Sequence, residues 1–192
     1  RRTAVMPQRK ILLDTNSYLR LAHMIHPLLF QEFGPDACCL YVLKELDDEL
    51  NASHRLKTKF VWALQDEYVE DRRHQLTTSR RQKAEIETAV SFIWDHVQTE
   101  QPGPSRIDVR HLAHGFVLKV PVVSDDRDLL AVARTFDIEV MKSIELLKLM
   151  LDCEHVSAQK LDAVVAYWRY WQDVPADLDA DFERMFGTKA PR

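Results

Sequence analysis

Glycine is scarce in this chain. Only four glycines occur among its 192 residues, and neither the GxGxxG pattern of dinucleotide-binding turns nor the P-loop pattern GxxxxGK followed by Ser or Thr is present. Both patterns let the backbone approach a phosphate group closely. Their absence excludes the common nucleotide-cradling loops.

Cysteine and long apolar runs are also sparse. Cys38, Cys39 and Cys153 are odd in number and two are adjacent, which excludes a disulfide framework. We therefore expect reduced, buried thiols and a cytoplasmic location. No apolar run approaches the ~20 residues that cross a bilayer, and no signal-peptide apolar region follows the basic N-terminal segment RRTAVMPQRK. The sequence therefore predicts no membrane partner.

Short apolar segments alternate with amphipathic segments along the first 150 residues. Predicted strands lie at 10–14, 37–42, 119–124 and 138–140. Predicted helices lie at 15–29, 43–76, 77–98, 105–118, 126–136 and 143–152, with N-caps at Thr78 or Ser79, at Ser105 and at Ser143. This alternation predicts an α/β fold in which a central parallel sheet carries helices on both faces.

The last 40 residues have a different pattern, with two further predicted helices at 157–174 and 176–187. We therefore expect a domain at 9–150, with a helical insertion at about 51–100, and a C-terminal helical extension at 151–192 packed on it. The extension carries a helical stripe of apolar side chains that is typical of core packing, although Trp residues also occur in partner surfaces. The stripe consists of Leu161, Val164, Val165, Trp168 and Trp171.

Four acids stand where predicted strands end or predicted helices begin. Asp14 ends the first strand and Asp126 follows the third, whereas Glu45 and Asp108 lie in the first turns of two helices. Ligands of open parallel sheets bind beyond the carboxyl ends of the strands. If the first and third strands are neighbours, the four carboxylates lie at one edge of the sheet.

This arrangement indicates a metal site. Carboxylates in close contact raise each other's pKa unless a divalent cation lies among them. Oxygen ligands suit Mg²⁺ or Mn²⁺, and such ions activate water and stabilise a phosphoryl transition state. The set therefore indicates phosphodiester hydrolysis, whereas each acid alone fits equally well as a helix cap or a solvated charge.

Four segments resemble the motifs of the PIN-domain nuclease family, which includes VapC-like toxin ribonucleases. ILLDTN at 11–16 is similar to the opening motif, and LYVLKEL at 40–46 is similar to the second. DVRHLAHGFVLKVPVVSDDRDL at 108–129 is similar to the third and fourth motifs, with Ser124 in place of a threonine. The resemblance covers about residues 9–150.

The resemblance implies a PIN-like three-layer fold and a metal-dependent endoribonuclease. Asp14, Asp108 and Asp126 would hold Mg²⁺ or Mn²⁺, and Glu45 would complete the site or help to activate water. Neighbouring side chains would orient the carboxylates; these are Thr15, Asn16, Ser124 and Asp128. The family setting is a toxin of a toxin–antitoxin pair or phage defence, with RNA as substrate and an antitoxin, another protein or a second copy of the chain as partner.

Neighbouring acids leave some assignments open. Asp125 competes with Asp126 as the metal ligand, and Asp47 and Asp48 compete with Glu45. The sequence does not decide between them.

Histidine pairs and a basic cluster offer further candidates. His111 and His114 are spaced to share a helix face, but zinc needs two more ligands. His111, one turn from Asp108, either approaches the substrate phosphate or is a surface histidine, and the second interpretation is favoured. Arg80, Arg81 and Lys83 are the best candidates for RNA contacts, although interleaved acids also fit a solvated helix face.

Two other functions compete with the nuclease hypothesis. One is a catalytically silent PIN-like scaffold that binds proteins and keeps the acids for structure alone. The other is a doubly wound metal-dependent phosphatase, which also carries an Asp after its first strand. Such phosphatases need a second Asp two residues later, and Asn16 stands there instead.

Overall fold

A computed structural model describes residues 7–192, so the first six residues of the basic N-terminal segment lie outside it. Its centre is a sheet of four strands, β1 (Arg9–Leu13), β2 (Cys38–Tyr41), β3 (Val122–Val123) and β4 (Val140–Met141). All neighbouring strands are parallel, in the order β2-β1-β3-β4. The predicted α/β class with a parallel sheet is confirmed.

Ten α-helices surround the sheet in the described part of the chain. They are α1 (Thr15–Leu21), α2 (Glu45–Ala52), α3 (His54–Lys59), α4 (Asp66–Asp71), α5 (Arg80–Thr99), α6 (Arg106–Leu118), α7 (Arg127–Thr135), α8 (Ser143–Asp152), α9 (Ala158–Tyr170) and α10 (Leu178–Phe186). None of these helices is long and apolar enough to cross a membrane.

The two faces of the sheet carry separate apolar cores because successive strand residues point to opposite sides. Ile11 and Leu13 of β1 pack with apolar residues of α1, α8, α9 and α10, including Trp168. Leu12 packs on the other face with α5, α6 and α7. Helices on both faces make the three-layer arrangement and bury β1 as an inner strand.

Several element boundaries differ from the predictions. The helix predicted at 43–76 is broken into α2, α3, a 3₁₀ segment at Val61–Leu64 and α4, because Phe60 and Trp62 turn into the core. The helix predicted at 15–29 ends at Leu21, and the fourth strand lies at Val140–Met141. Ser79 and Ser105 cap α5 and α6 as predicted.

Two predictions about individual side chains are wrong. Ser143 does not cap α8 but is its first residue, and its backbone N–H and hydroxyl both donate to Asp125, at 2.9 and 2.7 Å. His111 and His114 are not surface residues. They are 1% and 8% exposed, because the face of α6 that carries them packs inward.

Candidate active site

Asp14 lies at the carboxyl end of β1, next to the end of β3. Its backbone N–H donates to the carbonyl of Val123 at 3.1 Å, which continues the pairing of the two strands. The Asp14 side chain then caps α1, since its Oδ1 accepts the backbone N–H of Ser17 at 2.7 Å. The switch from strand to helix therefore fixes this carboxylate at the sheet edge.

The environment of Asp14 is costly for a negative charge. The residue is 3% exposed, and it forms no ion pair with any residue at 7–192. Burial raises the pKa of Asp14, while the Ser124 hydroxyl, the charge of His111 and hydrogen bonding by Ser17 lower it in part. A buried carboxylate of this kind needs either a proton or a cation to offset its lost hydration.

Asp126 follows β3 at the same edge. Its Oδ1 caps α7 by accepting the N–H of Leu129 at 2.8 Å, and its own backbone N–H donates to the Ser124 hydroxyl at 3.1 Å. Ser124 is fully buried, and its hydroxyl lowers the pKa of Asp14. Unlike Asp14, Asp126 is exposed.

Asp108 reaches this edge from α6, the helix that precedes β3. In a capping box, its Oδ2 accepts the backbone N–H of Ser105 at 2.7 Å, and its own N–H donates to the Ser105 hydroxyl at 3.2 Å. Because α6 leads into the start of β3, its first turn lies beyond the carboxyl ends of the strands. The predicted common edge for Asp14, Asp108 and Asp126 follows from this topology.

Glu45 lies at the same edge, in the first turn of α2 after β2, but it is ion-paired. Arg110 donates to Glu45 at 2.8 Å and to Glu87 at 2.6 Å. Burial raises the pKa of Glu45, but hydrogen bonds from its own backbone N–H and from Arg110 outweigh it and lower the pKa overall. Glu45 is therefore ionised at neutral pH and bound by a cationic side chain.

The structure distinguishes the neighbouring acids that the sequence left open. Asp125 accepts three hydrogen bonds, one from Arg20 at 2.8 Å and two from Ser143, and is therefore a structural residue. Asp47 pairs with the buried Arg72 at 2.7 Å, whereas Asp48 is exposed. Arg20 and Arg110 could not be predicted from the sequence, since no local pattern marks an arginine that pairs with an acid far along the chain.

The predicted supporting residues lie around the acids. A cleft of about 490 Å³, which we call the rim cleft, opens beside Asp126. Asp128 borders it and packs against Gly103, whose φ of +140° and close approach leave no room for a side chain. The Thr15 hydroxyl is buried beside Asp14 without a hydrogen-bond partner in the described chain. The rim cleft is lined by Asn16, Arg20, Asp125, Asp126, Arg127, Asp128, Val174 and Ala176.

The predicted RNA-contact residues divide into two environments. Arg80 and Arg81 are exposed in the first turn of α5, where Arg81 pairs with Glu85 at 2.8 Å. Lys83 lies one turn later and lines a second cleft, beside Glu45 and Arg110. Arg80 and Lys83 are three residues apart, so they are neighbours on one face of α5. Their contact with RNA stays a prediction.

The carboxylates share an edge but do not form a ready metal cage. Within residues 7–192, no three His, Cys, Asp or Glu side chains are grouped closely enough to hold an ion, which applies to zinc at His111 and His114 as well. In Asp14, Asp108 and Asp126, one carboxylate oxygen accepts a capping N–H. Each carboxylate keeps further lone pairs that could bind a metal ion. Oxygen is the type of ligand that Mg²⁺ and Mn²⁺ prefer.

Comparison of this chain with protein-family models, with curated proteins and with solved structures finds no match. The residues and their geometry therefore carry the functional argument.

Proposed function

We propose that this protein is a metal-dependent endoribonuclease that cleaves RNA phosphodiester bonds, with Asp14, Asp108 and Asp126 as the ligands of Mg²⁺ or Mn²⁺. The observation that carries the proposal is the buried, unpaired Asp14 at the carboxyl end of an inner parallel strand. Ligands of open α/β sheets bind at this place. A divalent cation would offset the buried charge of Asp14, which forms no ion pair with a side chain in the described chain.

The roles of the surrounding side chains follow from their contacts. A cap or capping-box hydrogen bond holds one oxygen of each carboxylate, in Asp14, Asp108 and Asp126 alike. Asp126 is exposed and Asp108 half-buried, so both are more accessible to an ion than Asp14. The Ser124 hydroxyl accepts the backbone N–H of Asp126 and lowers the pKa of Asp14. A bound Mg²⁺ or Mn²⁺ would supply an activated water and stabilise the phosphoryl charge. Glu45, paired with Arg110, acts as a positioning residue in this scheme.

The competing proposal is the catalytically silent scaffold. It is favoured by one observation, namely that Asp14, Asp108 and Asp126 already serve as caps or capping-box residues in helix first turns. The burial of Asp14 argues against it, because a cap needs only an exposed side chain and gains nothing from an unpaired charge in the core. The toxin or phage-defence setting, with an antitoxin as partner, stays a prediction from the PIN resemblance.

Labelled RNA incubated with the wild type and with Asp14→Asn, in Mn²⁺ or in EDTA, tests the proposal. We expect cleavage that requires the metal and falls about 1,000-fold in the variant, since metal stabilisation of the transition state contributes several kcal/mol. Asp36→Asn is the matched control because Asp36 is exposed in the loop before β2, at the opposite edge of the sheet. Equal cleavage by wild type and Asp14→Asn would refute the assigned site.

Metal binding has an independent readout. Mn²⁺ should raise the Tm of the wild type and of Asp36→Asn but not that of Asp14→Asn, because a ligand that binds only the folded state stabilises it. No RNA cleavage together with an unchanged Tm in the wild type would favour the scaffold.

A further inference from the structure

A second cleft lies beside Glu45, on the side of α5 and α6. We call it the α5–α6 cleft; its volume is about 430 Å³, within the range of roughly 300–1,000 Å³ typical of small-ligand pockets. Its walls come from the end of β2 and the start of α2, from the segment 75–78, and from α5 and α6. Glu45 lines it directly, so it adjoins the sheet edge that carries the candidate active site.

The lining of the α5–α6 cleft is partly apolar and partly polar. Leu43, Leu76 and Ile86 form the apolar part, and each is buried. Thr77 and Thr78 contribute polar side chains. An apolar surface next to hydrogen-bonding groups fits a nucleobase, which presents a flat face for packing and polar edges for hydrogen bonds.

The charges of the cleft favour an anion at its mouth. Lys44 and Lys83 line it, and neither ammonium group pairs with a carboxylate anywhere in the part of the chain that the structure describes. Arg110 is different, because Glu45 and Glu87 already neutralise it. Glu45 and Glu87 carry one charge more than Arg110, so the charged residues that line the cleft keep a net charge of +1. This positive charge next to an apolar pocket suits a phosphate attached to a base.

His114 supplies a buried polar group that the fold does not use. The residue is 8% exposed, and its Nδ1 lies 2.7 Å from the carbonyl of Arg110. Since a carbonyl only accepts, Nδ1 carries the proton, and Nε2 is an acceptor in the neutral ring. Burial lowers the pKa of His114 and so favours this neutral form. Nε2 has no protein hydrogen-bond partner within residues 7–192, and His114 lines the cleft.

We propose that the α5–α6 cleft binds one nucleotide of the RNA, with its base on Leu43, Leu76 and Ile86, its phosphate near Lys44 and Lys83, and a ligand hydroxyl or amine donating to His114 Nε2. The inference rests on the proposed ribonuclease function and deepens it. The cleft holds a nucleotide next to the edge where cleavage takes place, and it thereby contributes a base preference. It also gives Lys83, which is not part of the metal site, a specific role.

Nucleoside 5′-monophosphates test the inference without any cleavage. Each of AMP, GMP, CMP and UMP is titrated into ¹⁵N-labelled protein in EDTA, up to about 20 mM, well above the Kd of a millimolar ligand. We expect shift changes centred on Thr77, Thr78, Lys83 and His114, with one base preferred. His114→Asn should weaken binding about tenfold, because Asn retains a donor to the Arg110 carbonyl but lacks Nε2.

Two further variants keep the test independent of folding. Lys83→Gln should weaken binding about threefold, as expected for an exposed charge, and Lys57→Gln, at a lysine outside the cleft, should leave it unchanged. Shift changes elsewhere only, or no binding at all, would overturn the inference. Equal binding of inorganic phosphate would do the same, because it would reduce the cleft to an anion site.

Failure of this inference is distinguishable from failure of the ribonuclease proposal. Metal-dependent cleavage that requires Asp14, without nucleotide shifts in the α5–α6 cleft, would remove only the nucleotide site. Nucleotide binding that responds to His114→Asn and Lys83→Gln, in a protein that cleaves no RNA, would retain the cleft as a nucleotide site and remove the assigned chemistry.

Discussion

Asp14 and Asp125 are both buried carboxylates at the same edge of the sheet, but their surroundings are opposite. The Asp125 side chain is 3% exposed and accepts hydrogen bonds from Arg20 and from both polar groups of Ser143. Asp14 is equally buried, yet it forms no ion pair in the described chain, and the charge of His111 lowers its pKa only in part. One carboxylate is neutralised by the fold, and the other is not.

This difference separates an acid whose charge the fold neutralises from one that remains available to a ligand. Asp125 joins α1 to α8, because Arg20 belongs to α1 and Ser143 begins α8. Removing one partner of such an ion pair leaves an uncompensated charge in the interior. Asp14 caps only α1, so its burial provides no comparable stabilising contact between helices. Buried groups that a fold leaves unpaired are candidates for ligand binding.

The largest expected effect on stability is at Asp125. Asp125→Ala should lower the free energy of unfolding by about 3 kcal/mol. It removes the ion-pair partner of the half-buried Arg20 and the acceptor for the first N–H of α8. Asp173, which pairs with Arg20 at 3.3 Å, limits the loss. Urea denaturation followed by circular dichroism measures it.

The matched comparison measures RNA cleavage at a temperature at which both variants are folded. Under this condition, Asp125→Ala should retain metal-dependent cleavage, whereas Asp14→Asn should be folded and inactive. A variant at Asp125 that folds normally but is inactive would place Asp125, rather than Asp126, in the metal site and break the distinction.

The sequence predicts what depends on local order along the chain. The ends of strands and the starts of helices could be located, and with them the edge that carries Asp14, Asp108 and Asp126, because parallel strands direct their carboxyl ends to one side. The caps Ser79 and Ser105 were likewise visible as local patterns. These features require no knowledge of distant contacts.

Pairing between distant segments could not be predicted in this way. Arg20 is separated from Asp125 by 105 residues, and Arg110 from Glu45 by 65. The packing of the helices therefore determines which acids are neutralised, and the local sequence does not show it. The break of the long helix at Phe60 has the same origin, since burial of its side chain overrides local helix propensity.

A second effect concerns the pH dependence of stability. Burial raises the pKa of Asp14 above its unfolded value of about 3.8, so the folded protein keeps a proton that the unfolded chain has lost. The free energy of unfolding must then fall as pH rises from that value to the folded pKa, by at most about 1.4 kcal/mol per pH unit. Asp14→Asn lacks this contribution.

Urea denaturation of wild type and Asp14→Asn in EDTA, from acidic to neutral pH, isolates the contribution of Asp14. The contributions of the other titrating groups cancel in the difference between the two free energies of unfolding. The variant should gain stability relative to the wild type as pH rises. Asp36→Asn should show no such gain. A flat difference for Asp14→Asn would mean that a protein group already neutralises Asp14, and the contrast with Asp125 would lose its basis.

The smallest expected effect compares two capping boxes of the same kind. Ser79 and Ser105 each accept the N–H of the third helical residue, at 3.2 Å, and are capped in return by Gln82 and Asp108. Replacing either serine by alanine should cost about 1 kcal/mol of stability. Only Ser105→Ala should also reduce cleavage, by about tenfold, because Ser105 orients a proposed metal ligand and Ser79 does not. Equal activity of the two variants would mean that Asp108 serves α6 alone, so that the metal site would have to be built from Asp14 and Asp126.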